Sequence, residues 1–151
     1  MGVKFSGFFQ GDSLNILEGI LEVDQEVQLV GSIQLYCKDE LTDQLGIRHS
    51  EIASYTDHQL ILRAYRKWGL ALLDKLYGSW SFVLYDHAKK LVVFSRDPTE
   101  NNSLFYLSQN NVLFFSNCTA RARSALGGMP YQIFTLPCAI TAGLFCPVVD
   151  K

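Results

Sequence analysis

The chain has 151 residues, of which 48% are hydrophobic and 13% aromatic, enough to bury the core of a single domain spanning 1–151. Its formal net charge is −2 with acids and bases interspersed, which argues against a nucleic-acid partner. No apolar run reaches the roughly 18 residues that span a bilayer, so we expect no membrane association and a cytoplasmic location.

The cysteines and histidines do not form a recognisable metal or disulfide pattern. The cysteines are far apart, without the paired spacing of a zinc site or the density of a disulfide scaffold. They are Cys37, Cys118, Cys138 and Cys146. The three histidines are equally scattered, and His58 and His87 each lie next to a helix or turn signal. We expect free, buried thiols, histidines at the surface or at caps, no metal and no cofactor.

The first third of the chain predicts two strands and two helices. Val3–Phe9 is apolar and β-rich, which indicates a strand. Leu14–Val23 carries apolar residues at helical spacing and predicts a helix, although it contains a glycine. Val27–Cys37 predicts a second strand, and Lys38–Leu45 a short helix that Gly46 ends in a left-handed cap.

The clearest helix signal begins at Thr56. Thr56 and Gln59 have the spacing of a capping box, and Gly69 marks the end of the helix. The predicted apolar face consists of Leu60, Ile61, Ala64, Tyr65 and Trp68. Leu70–Leu76 predicts a second short helix.

Short strands joined by polar turns follow in the second half of the chain. They are predicted over Ser79–Tyr85, Leu91–Ser95, Leu104–Leu107 and Val112–Phe115, with a polar turn over Asp97–Asn102. This spacing predicts an antiparallel meander. Cys118–Leu126 predicts a helix, and the chain from Met129 onward is β-like without a definite assignment.

These elements together predict an α+β sandwich with helices packed on sheets. Trp80, Phe82 and Leu84 alternate along one strand, so they should pack on the apolar helix face of Leu60, Ala64 and Trp68.

Four stretches of the chain resemble the N-terminal domain of asparagine synthetase and its relatives, in the family's order. Residues 35–41, LYCKDEL, resemble I-Y-N-x-x-E-L, and residues 55–62, YTDHQLIL, resemble S-D-T-E-x-L-L. Residues 64–69 and 76–86 resemble Y-x-x-W-G and L-x-G-x-F-A-F-x-x-Y-D. Residues 95–106 and 114–116 resemble A-R-D-x-x-G-x-x-P-L-Y-Y and F-x-S.

This resemblance implies a class II glutamine amidotransferase domain with the fold of the N-terminal-nucleophile hydrolases, an αββα sandwich of antiparallel sheets flanked by helices. The resemblance extends to two kinds of relatives of asparagine synthetase, the β-lactam synthetases and the lasso-peptide cyclases. It also implies that the C-terminal synthetase domain of such proteins lies outside this chain.

Three parts of the family's glutaminase chemistry have no counterpart here. The family uses an N-terminal Cys thiolate, whereas Met1 is followed by Gly2 and Val3. The family's R-G-P-D loop supplies an Arg for the glutamine carboxylate, but the first Arg of this chain is Arg48. The family's oxyanion-hole Asn corresponds to Cys37, whose thiol is a poorer donor.

Residues that resemble vestiges of substrate binding remain at Asp57, Cys37, Arg96 and Asp97. Asp57 matches the acid that holds the glutamine ammonium group in the family. An acid in the first turn of a capped helix is also favoured without any ligand. Arg96-Asp97 matches the family's R-D pair, for which a structural ion pair in the turn is the alternative. Glu100 stands where the family has Gly.

The leading hypothesis is a degenerate amidotransferase domain that is a structural partner of an ATP-dependent, amide-forming synthetase domain or subunit. One alternative is an active glutaminase that supplies ammonia through Cys37 or Ser6. Another is a module that binds an amino acid or a peptide precursor near Asp57. A peptide precursor and a second copy of the chain, forming a homodimer, stay open as partners.

Overall fold

The computed structural model describes residues 2–98, 103–124 and 134–135. Its strands are β1 (Ser6–Gln10), β2 (Ser13–Glu18), β3 (Leu21–Asp24), β4 (Val27–Leu35), β5 (Gly78–Asp86), β6 (Leu91–Arg96), β7 (Phe105–Gln109), β8 (Val112–Ser116) and β9 (Phe134–Thr135). Its α-helices are α1 (Lys38–Leu45), α2 (Asp57–Trp68) and α3 (Thr119–Ser124). Two 3-10 segments cover His49–Ser54 and Gly69–Lys75.

The described strands form two antiparallel sheets. Sheet A has the order β2-β1-β8-β7-β9, and sheet B has the order β3-β4-β5-β6. The chain passes from sheet A to sheet B between β2 and β3, at Gly19, whose φ of +110° suits glycine. The long pair of β4 and β5 runs in register from Val27 opposite Asp86 to Leu35 opposite Gly78. This pair forms the centre of sheet B.

Two apolar clusters cover the two faces of sheet B. The cluster that joins sheet B to sheet A, the inter-sheet core, includes Phe5, Phe9, Val30, Val83, Tyr85, Phe94 and Phe115. The cluster that joins sheet B to α1 and α2, the helix-side core, includes Leu29, Leu60, Ala64, Trp80, Phe82 and Leu84. Successive residues of β5 alternate between the two cores, so the strand is buried on both faces.

The predicted α+β sandwich of two antiparallel sheets and helices is confirmed. α1 has its predicted bounds, and Gly46 ends it in a left-handed conformation with φ 73°. Thr56 and Gln59 form the predicted capping box at the start of α2. The predicted packing of Trp80, Phe82 and Leu84 on α2 is also confirmed, with Trp68 packed against the same core.

Two expectations for the elements were wrong. Leu14–Val23 is not a helix but the strands β2 and β3, in which exposed and half-buried residues alternate. Both helical and strand spacing fit its few apolar residues, and Gly19 marks a sheet crossing that local sequence does not reveal. The predicted four-strand meander is divided, because β5 and β6 pair in sheet B whereas β7 and β8 pair in sheet A.

Some expectations fall outside the described residues. They concern the turn residues 99–102, the end of the helix predicted to reach Leu126, and most of the segment from Met129 onward, including Cys138 and Cys146. Among the helices that are described, none has the length and apolar character needed to cross a membrane.

Candidate functional site

Cys37 lies at the junction between β4 and α1, in a strained backbone conformation. Its φ and ψ are 49° and 50°, in the left-handed region that side chains other than Asn, Asp and Gly rarely adopt. It occupies the N-cap of α1 without forming a side-chain capping bond. The thiol is free and exposed, so the expectation of a buried thiol is wrong at this position.

A cavity of about 420 Å³ opens beside Cys37. Its walls come from the β4–α1 junction and from the segment that leads into β5, where Tyr36 N–H donates to Tyr77 O at 2.8 Å. Asp57, Arg96 and Asp97 do not line this cavity. The residues predicted to be vestiges of substrate binding are therefore not gathered around the thiol.

Asp57 begins α2, and both of its carboxylate oxygens are engaged within the chain. Oδ2 accepts the backbone N–H of Leu35 at 3.0 Å, and Oδ1 lies 2.5 Å from the ammonium nitrogen of Lys38. The Asp57 side chain is only 16% exposed. The carboxylate thereby joins the start of α2 to the end of β4 and the start of α1.

Lys38 is the residue that the sequence-based interpretation missed. It is the first residue of α1, where the helix dipole disfavours a cation. A lysine at such a position indicates a specific acidic partner nearby, and that partner is Asp57. The lysine in the first turn of a predicted helix was visible in the sequence, but the identity of its acidic partner depends on the fold.

Arg96 and Asp97 lie at the end of β6 and make different contacts. Asp97 is fully buried, its Oδ2 accepts Trp80 N–H at 2.9 Å, and its own N–H donates to Trp80 O at 2.8 Å. Arg96 stands opposite Ser81 in the ladder between β5 and β6. In the described part of the chain no ion pair joins Arg96 to Asp97. Asp97 instead closes the ladder at the start of β5.

The orientation of α2, and with it Asp57, is fixed at the other end of the helix by a buried pair. Tyr65 donates from its hydroxyl to Asp86 Oδ2 at 2.8 Å, and Asp86 is 4% exposed. Burial raises the pKa of Tyr65 well above its usual range, and the hydrogen bond and charge of Asp86 raise it further. Tyr65 is therefore a neutral donor that anchors α2 on sheet B.

The predicted histidines are held by polar contacts. His58, in the first turn of α2, lies with Nε2 2.9 Å from the carbonyl oxygen of Gly31. His87, in the turn after β5, lies 2.8 Å from Oε1 of Gln28 and packs against the ring of Tyr85. Both side chains are half-buried and join sheet B to its surroundings.

Comparison with known proteins identifies the family. Residues 19–130 match the family model for the glutamine amidotransferase domain, which is more than half of the 151 residues. The chain belongs to the glutamine amidotransferase domain family. The matched range leaves out β1, β2 and the residues that precede them.

The similar proteins of this family are much longer than the chain. A Schizosaccharomyces pombe protein named as a probable glutamine-hydrolysing asparagine synthetase is 34% identical over 80 residues, covering 50% of this chain and 14% of its own. A Penicillium rubens protein named Amidase chyE is 28% identical over 83 residues, covering 55% and 12%. The chain thus spans less than a fifth of each of these relatives.

A solved structure shares the fold. Glutamine phosphoribosylpyrophosphate amidotransferase from Bacillus subtilis superimposes with a TM-score of 0.57 at 12% sequence identity, covering 89% of this chain and 39% of its own. At this identity the likeness concerns the fold alone. The chain is thus an amidotransferase domain in fold and family.

Proposed function

We propose that this chain is a degenerate glutamine amidotransferase domain that does not hydrolyse glutamine and is a structural partner of an ATP-dependent, amide-forming synthetase. The observation that carries the proposal is the pair of Asp57 and Lys38. The acid that matches the family's ammonium-binding Asp already holds an ammonium group of its own chain at 2.5 Å. A ligand ammonium would have to displace Lys38 from it.

The segment that leads into β1 supports the absence of the nucleophile. Residues 2–5 are Gly2, Val3, Lys4 and Phe5, and none carries a thiol or hydroxyl. Asn117 holds this segment, since its side chain accepts Phe5 N–H at 2.8 Å and donates to Val3 O at 2.8 Å. The segment that precedes the first strand is therefore held in place but carries neither a thiol nor a hydroxyl nucleophile.

The connections between the first strands leave no room for the family's carboxylate-binding loop. Strands β1 to β4 occupy most of the range from Ser6 to Leu35 and are joined by two-residue links. Arg48 follows only after α1, where its side chain is 81% exposed and pairs with Glu51 at 2.6 Å. A glutamine carboxylate would thus lack the guanidinium that the family uses.

The rival of an active glutaminase needs Cys37 or Ser6 as its nucleophile. Ser6 is 2% exposed, within the ladder of β1. Cys37 is accessible, but it stands where the family has the oxyanion-hole Asn, so its use would remove that donor. Both positions therefore favour the non-catalytic proposal.

Ligand titration separates a structural partner from an amino-acid-binding module. Glutamine, glutamate, asparagine and aspartate at millimolar concentration should raise the melting temperature no more than acetate does, because a ligand far below its dissociation constant adds little stability. The same should hold for Lys38→Gln, which frees Asp57 but restores no guanidinium. A rise with one amino acid that disappears in Asp57→Ala would instead establish a working receptor.

The proposed partnership is tested by affinity purification of the tagged chain from cells of its source organism. We expect co-purification of a protein that carries the S-G-G-x-D-S pyrophosphate-binding loop of ATP-dependent synthetases. Reproducible recovery of the chain without any such protein would contradict the proposed partnership.

A further inference from the structure

Three polar residues form a row across sheet B, separate from the cavity at Cys37. Ser32 of β4 stands directly opposite Ser81 of β5, and Ser81 stands directly opposite Arg96 of β6. Residues opposite each other in an antiparallel ladder point to the same face of the sheet. The three side chains therefore share one face.

The row lies at the end of the inter-sheet core. Val30, Val83 and Phe94, each two residues from a member of the row, belong to that core. Alternation along each strand places the row on the same side. Asp57, by contrast, begins a helix that packs on the opposite face of sheet B. The row is thus a different place from the vestigial ammonium position.

Two donors of the row lack partners. Ser81 is fully buried, and neither its Oγ nor the buried Nε of Arg96 has a hydrogen-bond partner among the described residues. Arg96 forms no ion pair with any described acidic residue. A guanidinium is always charged, and leaving a buried donor unpaired is unfavourable. The arrangement favours an acceptor that carries negative charge.

The geometry of a guanidinium selects the kind of acceptor. Its Nε–H and one terminal N–H point in parallel and match the two oxygens of a carboxylate. We propose that Arg96 and Ser81 bind the carboxylate of a small organic acid in the inter-sheet space, with Ser32 beside them. In this proposal the half-buried Arg96 lies on the solvent side of the ligand, and the fully buried Ser81 supplies the inner hydroxyl. A phosphate dianion is disfavoured because the row supplies a single cation.

The Nε–H group of Arg96 reports directly on this site in NMR spectra of protein labelled with ¹⁵N-arginine. Formate and acetate should shift the Arg96 signal in a saturable manner, whereas sodium chloride at equal ionic strength should not. The exposed Arg48 and Arg66 serve as internal controls and should show only small, unsaturated changes. The Arg96 signal is assigned as the one that disappears from the spectrum of the Arg96→Gln variant.

Ser81→Ala tests the site without removing the charge. It should weaken carboxylate binding by up to about tenfold, the effect of losing one hydrogen bond to a charged group. Arg96→Lys keeps the charge but not the paired donors. This variant lacks the Arg96 signal, so its loss of binding is read from the melting temperature, which formate and acetate should raise no more than chloride does. Ser81→Ala keeps the test decisive even if variants of Arg96 do not fold.

The proposal is overturned if the Arg96 signal shows no saturable response to formate or acetate. It is also overturned if chloride has the same effect, or if Ser81→Ala leaves the affinity unchanged. None of these results depends on Asp57 or on glutamine hydrolysis, so failure here is distinguishable from failure of the proposed function.

Discussion

Replacement of Asp57 by alanine should destabilise the fold far more than its position in a helix first turn alone would imply. The substitution leaves the N–H of Leu35 without its acceptor at 3.0 Å, a loss of roughly 1–3 kcal/mol. Loss of the carboxylate from the helix start adds roughly 0.3–1 kcal/mol. The ion pair with Lys38 adds at most about 1 kcal/mol, because the lysine side chain is 34% exposed. We therefore expect a total loss of roughly 1–5 kcal/mol, with about 3 kcal/mol as the central value.

Two matched variants separate these contributions. Asp57→Asn keeps an oxygen for Leu35 N–H and removes only the charge, so it should lose roughly 1 kcal/mol. Lys38→Met removes the ion pair but also removes a cation from the start of α1, so it should change stability by less than about 1 kcal/mol. The free energy of unfolding is measured by urea titration with tryptophan fluorescence. A loss below about 0.5 kcal/mol in Asp57→Ala would refute the structural role of this carboxylate.

Three further substitutions test the packing and the backbone. Phe82→Ala, in the helix-side core, should lose roughly 3–5 kcal/mol in urea titration, and a loss under about 1 kcal/mol would contradict its burial at 1% exposure. Tyr65→Phe should lose roughly 1–3 kcal/mol of stability, because the buried Oδ2 of Asp86 loses the hydroxyl that donates to it. The pKa of Tyr65 is raised from 10.0 on folding, so its contribution to stability should be intact below pH 10 and decline above it. Above pH 10 the stability of the wild type should therefore fall more steeply than that of Tyr65→Phe. Parallel pH profiles of the two proteins would contradict this. Cys37→Asn should raise the free energy of unfolding by about 0.5–1 kcal/mol, because Asn tolerates the left-handed backbone. A loss of stability would contradict backbone strain at Cys37.

Local signals predicted much of the fold because they act within a few residues. Gly46 ended α1 where predicted, and Thr56 with Gln59 began α2. The split between β2 and β3 was missed because it depends on which sheet each strand joins, which is a property of the whole fold. For the same reason the sequence did not reveal that β6 belongs to sheet B and β7 to sheet A.

The candidate site was predicted as individual positions rather than as an arrangement. The sequence identified Asp57 but not its contact with Lys38, 19 positions away, since that contact forms only when α1 and α2 pack together. It associated Arg96 with Asp97 because the two match the family's R-D pair, whereas the carboxylate of Asp97, just past the end of β6, accepts Trp80 N–H. The strand register placed Arg96 beside Ser81 instead.

Glutamine hydrolysis is the most direct test of the proposal that this domain keeps the amidotransferase fold without its chemistry. The protein is incubated with glutamine labelled with ¹⁵N at the side-chain amide, and ammonium release is followed by NMR beside a heat-denatured control. The proposal predicts no release above that control, because it holds that the nucleophile, the carboxylate-binding arginine and the oxyanion-hole asparagine are replaced or missing. Release of labelled ammonium with matching glutamate, abolished by Cys37→Ala or by Ser6→Ala, would contradict the proposal.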